Sequence, residues 1–216
     1  MDKNLRTNFI KKTKKLLSES IPRDIFIIQT IHTIDELIKI INKVITNLRE
    51  RYGYHAPKVS KIEDITNLFR EIKKHNREEA GIEFNNEDLI SIDELIKGGE
   101  ELIILKDLQE KYLDSLMKKQ CPELLKVSTA LIGARLISLA GSLKRLAELP
   151  SSTIQVLGAE KALFRHIKTG AKPPKFGVIF AHPDIQNAEE KSKAARKLSA
   201  KISIAVKKDY FRKTNE

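Results

Sequence analysis

Between Ile27 and Tyr52 the apolar positions fall at Ile27, Ile31, Ile34, Ile38, Ile41, Ile45, Leu48 and Tyr52. The steps alternate between four and three without a slip, which holds one stripe on a helix of about 3.6 residues per turn. Sustained over this length, the pattern is the heptad seam of a coiled coil, although an ordinary bundle helix shares nearly the same spacing. Pro22, two residues after Ser20, suits the opening of the helix. Gly53 with His55-Ala56-Pro57 suits its exit.

Residues 61–102 lose that regularity. Their pattern predicts a short helix over Ile62–His75, a loop over Asn76–Asn86, and a helix over Leu89–Ile96 that stops at Gly98-Gly99. Glu78, Glu79, Glu83, Glu87 and Asp88 make this an acidic tip. A second long helix follows from Glu100 to Lys119, with Ile104, Leu108, Tyr112 and Leu116 as its stripe. Run back antiparallel to the first, it completes a coiled-coil arm over residues 20–120.

Pro122 starts another unit. Leu124–Leu149 is apolar on several sides and holds Ala130, Gly133, Ala134, Ala140 and Gly141, small residues that let helices approach closely. Residues 171–183 have extended character, and a last helix is predicted over Asp184–Tyr210. That helix should turn Leu198, Ile202 and Ala205 inward and Lys193, Lys197 and Lys201 outward. The fold class is therefore all-α, with a basic segment (1–19), an arm (20–120) and a compact helical domain (121–216).

Charge sharpens this division. The net charge is +11, and the surplus sits at the two ends of the chain. Residues 1–19 carry six Lys/Arg against two acids, and residues 158–216 carry fourteen against six, while the stretch between is nearly balanced. Clustered basicity is the electrostatic footprint of a polyanion, most often nucleic acid. A merely solubilising surface is the competing explanation.

The stretch Leu149–His166 concentrates the candidate chemistry. Leu149-Pro150 ends one helix, and Ser152 with Gln155 three residues on fits a capping box for the next. Gly158 then breaks the chain, leaving backbone N–H groups at the start of a further helix, a natural site for phosphate oxygens. On that helix Lys161, Arg165 and Lys168 share one face, with Leu163, Phe164 and Ile167 turned to anchor it to the core. His166 lies at the edge, where it can stack on a base or bond to one. Lys172, Lys175 and Arg196 add longer-range attraction.

The string Leu149-Pro-Ser-Ser-Thr-Ile-Gln-Val-Leu-Gly-Ala-Glu-Lys-Ala-Leu-Phe-Arg-His166 resembles the signature of the Nop domain. That module is shared by the Nop56/Nop58-like core proteins of box C/D ribonucleoproteins and a spliceosomal relative. Gly133-Ala134-Arg135-Leu136-Ile137 and Ala140-Gly141-Ser142-Leu143 precede the string in family style, and Pro173-Pro174-Lys175-Phe176-Gly177 and Phe180-Ala181-His182-Pro183 follow it in an archaeal form. Leu48-Arg49-Glu50-Arg51-Tyr52-Gly53-Tyr54-His55 resembles the end of the family's first arm helix. The likeness covers about residues 20–210.

The resemblance implies a cytoplasmic archaeal scaffold that binds a kink-turn guide RNA together with a ribosomal-protein-like partner. Gly158, Ala159, Glu160 and Lys161 match the part that meets that partner and the adjacent RNA. Ala162, Leu163, Phe164 and Arg165 match the part approaching the RNA helix, and Gln155 joins the partner-facing set. The arm is implied to homodimerise, with the stripe Ile27–Tyr52 as its seam. In the family a separate N-terminal domain holds the methyltransferase fibrillarin. About twenty residues precede the arm here, so the chain is expected to be a truncated form or one part of a split gene.

Other classes fit less well. His32, His55, His75, His166 and His182 show no metal-ligand spacing, and no phosphate-loop or nucleophile-elbow motif occurs. No catalytic residue, metal or cofactor is expected. Cys121 is the only cysteine, which excludes an internal disulfide and fits a reducing cytosol. No apolar run reaches the roughly 18 residues of a membrane span. A generic coiled-coil interaction protein explains residues 20–120 but leaves Leu149–His166 without a role.

Overall fold

A computed structural model describes residues 3–20 and 22–214, with side chains over 6–17 and 22–212. All regular structure among them is helical. The chain divides into two compact units, residues 32–111 and residues 1–31 with 112–216. The basic N-terminal segment is a helix, α1 (Lys3–Ser20), whose described side chains are exposed.

Helix α2 (Asp24–Gly53) follows the heptad stripe. Ile27, Ile31, Ile34, Ile41, Ile45, Leu48 and Tyr52 are buried within a single chain; Ile38 is half-buried, and Leu37 takes the inward place beside it. The short helix of the tip, α3 (Ile65–Ile72), is briefer than its pattern predicts. Asp64 accepts from Asn67 N–H at 2.7 Å and sets its start, while residues 59–61 form a separate 3-10 turn. Arg49 fastens the approach, donating to the carbonyls of Ile62 and Glu63 at 2.7 and 2.9 Å.

Helix α4 (Asn86–Gln120) departs furthest from expectation, running through Gly98-Gly99 without interruption. A β-carbon at Gly99 would stand 3.0 Å from the Phe69 ring and 3.7 Å from Val44, so close packing, and not a chain break, requires this glycine. The predicted stripe is also misplaced. Ile104, Leu108 and Tyr112 are exposed, and Leu116 is half-buried. The inward row is Ile92, Ile96, Gly99, Ile103, Lys106, Glu110, Leu113 and Met117. It steps by four and three like the seam of α2, but a glycine and an ion pair (Lys106–Glu110, 3.4 Å) interrupt its apolar pattern. Arg51 bonds Ser91, Val44 neighbours Gly99, and Ile41 and Ile103 line one cleft, so α2 and α4 are antiparallel in this unit.

The tip's acidic loop is tied down. Buried His55 directs Nδ1 at the Ile82 carbonyl (2.9 Å) and stacks on Phe84 with ring centroids 4.7 Å apart. Tyr52 lies in the same cluster, its hydroxyl buried with no hydrogen-bond partner among the described residues. Burial, with Asp93 and Glu78 nearby, pushes that phenol above its ordinary pKa.

In the other unit the apolar stretch after Pro122 is cut into three helices: α5 (Pro122–Val127), α6 (Ala130–Ala140) and α7 (Leu143–Glu148). Thr129 and Ser142 cap α6 and α7, and Gly141 ends α6 in the left-handed region. A β-carbon at Gly133 would stand 2.8 Å from Met117 Cε, the close approach its small residue allows. The Asp24 carboxylate accepts from Leu143 N–H at 2.7 Å, so the start of α2 also caps α7.

The C-terminal stretch differs in two respects from its pattern. Residues 171–183 form no strand; they run irregularly into a 3-10 turn at Val178–Ala181. The predicted last helix is two, α10 (Pro183–Gln186) and, after a break, α11 (Lys191–Thr214). Helix α11 packs against α5, α7 and the short helix α8 (Ser151–Val156). Leu198, Ile202 and Ala205 are buried, and Lys193, Lys197 and Lys201 are exposed, as their periodicity requires.

Candidate nucleic-acid interface

The capping box is not formed. Helix α8 begins at Ser151 with Pro150 at its cap position, so Ser152 lies inside the first turn and is exposed. The Gln155 side chain instead donates to the Lys175 carbonyl at 2.7 Å. Two backbone bonds stand beside it: Gly177 N–H to Gln155 O and Val178 N–H to Leu157 O, both at 2.8 Å. These three bonds staple the chain entering helix α9 (Glu160–Thr169) to the chain leaving it.

Two glycines make the staple possible. Gly158 has φ of +90°, and a β-carbon there would lie 2.4 Å from Val178 Cγ2. At Gly177 a β-carbon would lie 1.9 Å from the Leu157 carbonyl oxygen. Beyond them α9 stands out as a finger with no buried residue.

The finger has three faces. Ala162 and His166 are half-buried, and His166 Nδ1 bonds the Ala171 carbonyl at the far end. That contact uses the ring to close the finger's tip and leaves only Nε2 for an outside partner. Lys161, Arg165 and Lys168 are exposed along one flank. Leu163, Phe164 and Ile167, predicted as anchors, are 39, 67 and 74% exposed. Among the described residues no core lies against that side of α9, so its apolar flank is a surface. Lys168 Nζ sits 6.0 Å from the Phe164 ring centroid, where the two flanks meet.

The remaining predicted residues divide between base and finger. Ala159 is half-buried, and Glu160 turns back so that Gly158 N–H donates to its Oε1 at 2.7 Å. A carboxylate thus occupies the Gly158 N–H just ahead of this helix, while no side chain caps the helix itself. Lys172 and Lys175 are exposed on the return loop, and Lys175 shares a cleft with Arg196 from α11. Spacing did not reveal Leu139, exposed beside Gly158, or the stacked pair Phe176–Phe180. The four-residue step between the two phenylalanines was the available signal.

Among the described residues, no group of three or more His, Cys, Asp or Glu is placed to hold a metal ion. Likewise no described helix is long and apolar enough to cross a membrane. Fold and finger together define an all-helical module with one projecting helix that is cationic on one flank and apolar on another.

The family described as Nop, "snoRNA binding domain, fibrillarin", matches residues 33–216. The chain belongs to the Nop family. It is 36% identical to a NOP5 family protein of Methanocaldococcus jannaschii, over 92% of this chain and 55% of that protein. It is also 36% identical to nucleolar protein 56 of Mus musculus, over 87% of this chain and 38% of that one. With nucleolar protein 58 of Candida glabrata the identity is 35%, over 86% and 42%. The chain thus spans about half or less of the length of these relatives. In a crystal structure of a fibrillarin/Nop5p complex, one chain matches with a TM-score of 0.57 and 26% identity, covering 96% of this chain and 70% of that one.

Proposed function

We propose that this chain is the RNA-binding scaffold subunit of a box C/D guide ribonucleoprotein and carries no catalytic step itself. It recognises a kink-turn RNA together with a ribosomal-protein-like partner and positions a fibrillarin-type methyltransferase for 2′-O-methylation. The observation that carries this reading is the stapled finger, within the matched family region. Lys161, Arg165 and Lys168 offer phosphate contacts on one flank, while Leu163, Phe164 and Ile167 offer apolar area to a protein on the other. One helix can therefore touch RNA and protein at once.

Self-association through the arm belongs to the same reading. Ile104 and Leu108 on α4 are 59 and 55% exposed and one helical turn apart, an apolar stripe that a second copy could cover. The assembly is expected to work in the cytoplasm of an archaeon.

Charge reversal at Lys161 and Arg165 tests the proposal by gel shift on kink-turn RNA with its bound partner. Recruitment should be lost with helicity unchanged, and unaltered recruitment would refute the reading. Wild-type affinity should also fall with salt by about 0.7–0.9 log units per log unit of salt for each phosphate contact.

A further inference from the structure

The loop after α9 builds a second feature beside the finger. Pro173 and Pro174 restrict the backbone there, and the staple holds Lys175 by its carbonyl and Gly177 by its N–H. Phe176, between those two held residues, is fixed in place and stacks on Phe180, with centroids 4.9 Å apart and planes 16° from parallel. This ring forms part of the lining of a cleft of about 720 Å³ against the start of α11.

The rest of the lining is mainly cationic. Lys175, Lys191 and Arg196 border the cleft, and Lys191 Nζ also lies 5.6 Å from the Phe180 ring centroid. Of the two carboxylates present, Glu190 is paired with Lys193 at 3.4 Å, which leaves Glu189 against three cations.

An aromatic ring beside several cations, in an open cleft of this size, suits one ligand chemistry. A nucleobase can lie on the ring only if its face is free, and in a duplex both faces are covered by neighbouring pairs. The geometry points to a binding site for an unpaired RNA nucleotide, with its base on Phe176 and its phosphate at Lys175 and Arg196. This rests on the RNA-binding reading above and extends it: the finger engages the structured RNA, and the cleft holds a single-stranded segment leaving it.

The test compares two RNAs on the full chain with its ribosomal-protein-like partner. One is a blunt-ended kink-turn RNA; the other carries a short single-stranded uridine extension, tried at each end in turn. The extended RNA should bind about tenfold tighter. Phe176→Leu keeps a large apolar side chain but removes the π face, so it should erase the gain and leave blunt-RNA affinity unchanged. Phe176→Tyr should retain the gain. The surface pair Lys175→Glu with Arg196→Glu, which disturbs no packed ring, should erase it too. 4-Thiouridine in the extension should crosslink to residues 173–180. Equal binding of blunt and extended RNAs, or a gain that survives Phe176→Leu, overturns the cleft alone. Binding of neither RNA by wild type overturns the RNA-scaffold reading and the cleft with it.

Discussion

The carboxylate of Asp209, on the last helix, accepts the backbone N–H of Leu124 at 2.8 Å, joining positions 85 residues apart. Its other oxygen accepts from Glu123 N–H at 3.0 Å. Pro122 opens α5 and Cys121 offers no side-chain cap, so a residue from the far end of the chain performs that role. Asp209 is fully buried, and the bond ties the C-terminal helix to the first helix after the arm.

Asp209→Ala should therefore cost roughly 2–4 kcal/mol, since it leaves two donors unsatisfied. Asp209→Asn should recover part of that, because an amide oxygen still accepts one of them. Urea denaturation followed by circular dichroism measures both, and a loss below about 1 kcal/mol for the alanine variant would show that the cap is dispensable.

Gly177→Ala should loosen the finger, because its new methyl group collides with the Leu157 carbonyl. Gly158→Ala adds backbone strain of about 1–3 kcal/mol at a positive φ, besides its contact with Val178. Amide exchange reads the effect directly. The N–H groups of Gly177 and Val178 should lose protection in either variant, while those of α11 keep theirs.

Phe164→Ala with Ile167→Ala should leave stability within about 0.5 kcal/mol of wild type, as expected for side chains already in solvent. The same pair should weaken binding to the kink-turn–partner complex. A large drop in melting temperature would mean that the apolar flank is covered within the chain. By contrast, Ile31→Ala should cost about 2–5 kcal/mol, because Ile31 is fully buried.

Tyr52→Phe should be neutral or stabilising near pH 7, since it removes a buried hydroxyl that has no partner. The phenol's pKa is raised in the folded state, so its contribution is intact below the unfolded value of about 10 and is lost as pH rises beyond it. Wild type should lose stability above that pH faster than the variant. Parallel denaturation curves from pH 9 to 11 would contradict this.

Ile104→Glu with Leu108→Glu should abolish self-association without loss of helicity, as judged by sedimentation and circular dichroism. A wild-type chain that sediments as a monomer at every concentration, alone and with RNA, would remove the arm from the assembly.

Several features were legible in the sequence because they depend on local spacing. The heptad stripe of α2 was one, since a helix of given pitch must present residues four and three apart on one side. The flank of Lys161, Arg165 and Lys168 was another. The inward row of α4 was hidden, because Gly99, Lys106 and Glu110 occupy seam positions where only the facing helix and an ion pair explain them. Gly98-Gly99 reads as a stop locally, yet packing against Phe69 favours a helix that continues. At α9 the apolar residues were correctly placed on a face of their own, but their spacing carried no information on whether a core lies opposite that face.

By itself, then, the sequence determined the helical class, the long arm helix, the family and the charged flank of the finger, all of which follow from neighbours along the chain. Tertiary structure alone decided that Asp209 caps α5, that Gln155 holds Lys175 and that Phe176 lines a cleft with Arg196. It also decided that the second flank of α9 faces solvent. These contacts join residues far apart in sequence or depend on what lies opposite a face, and helical periodicity encodes neither.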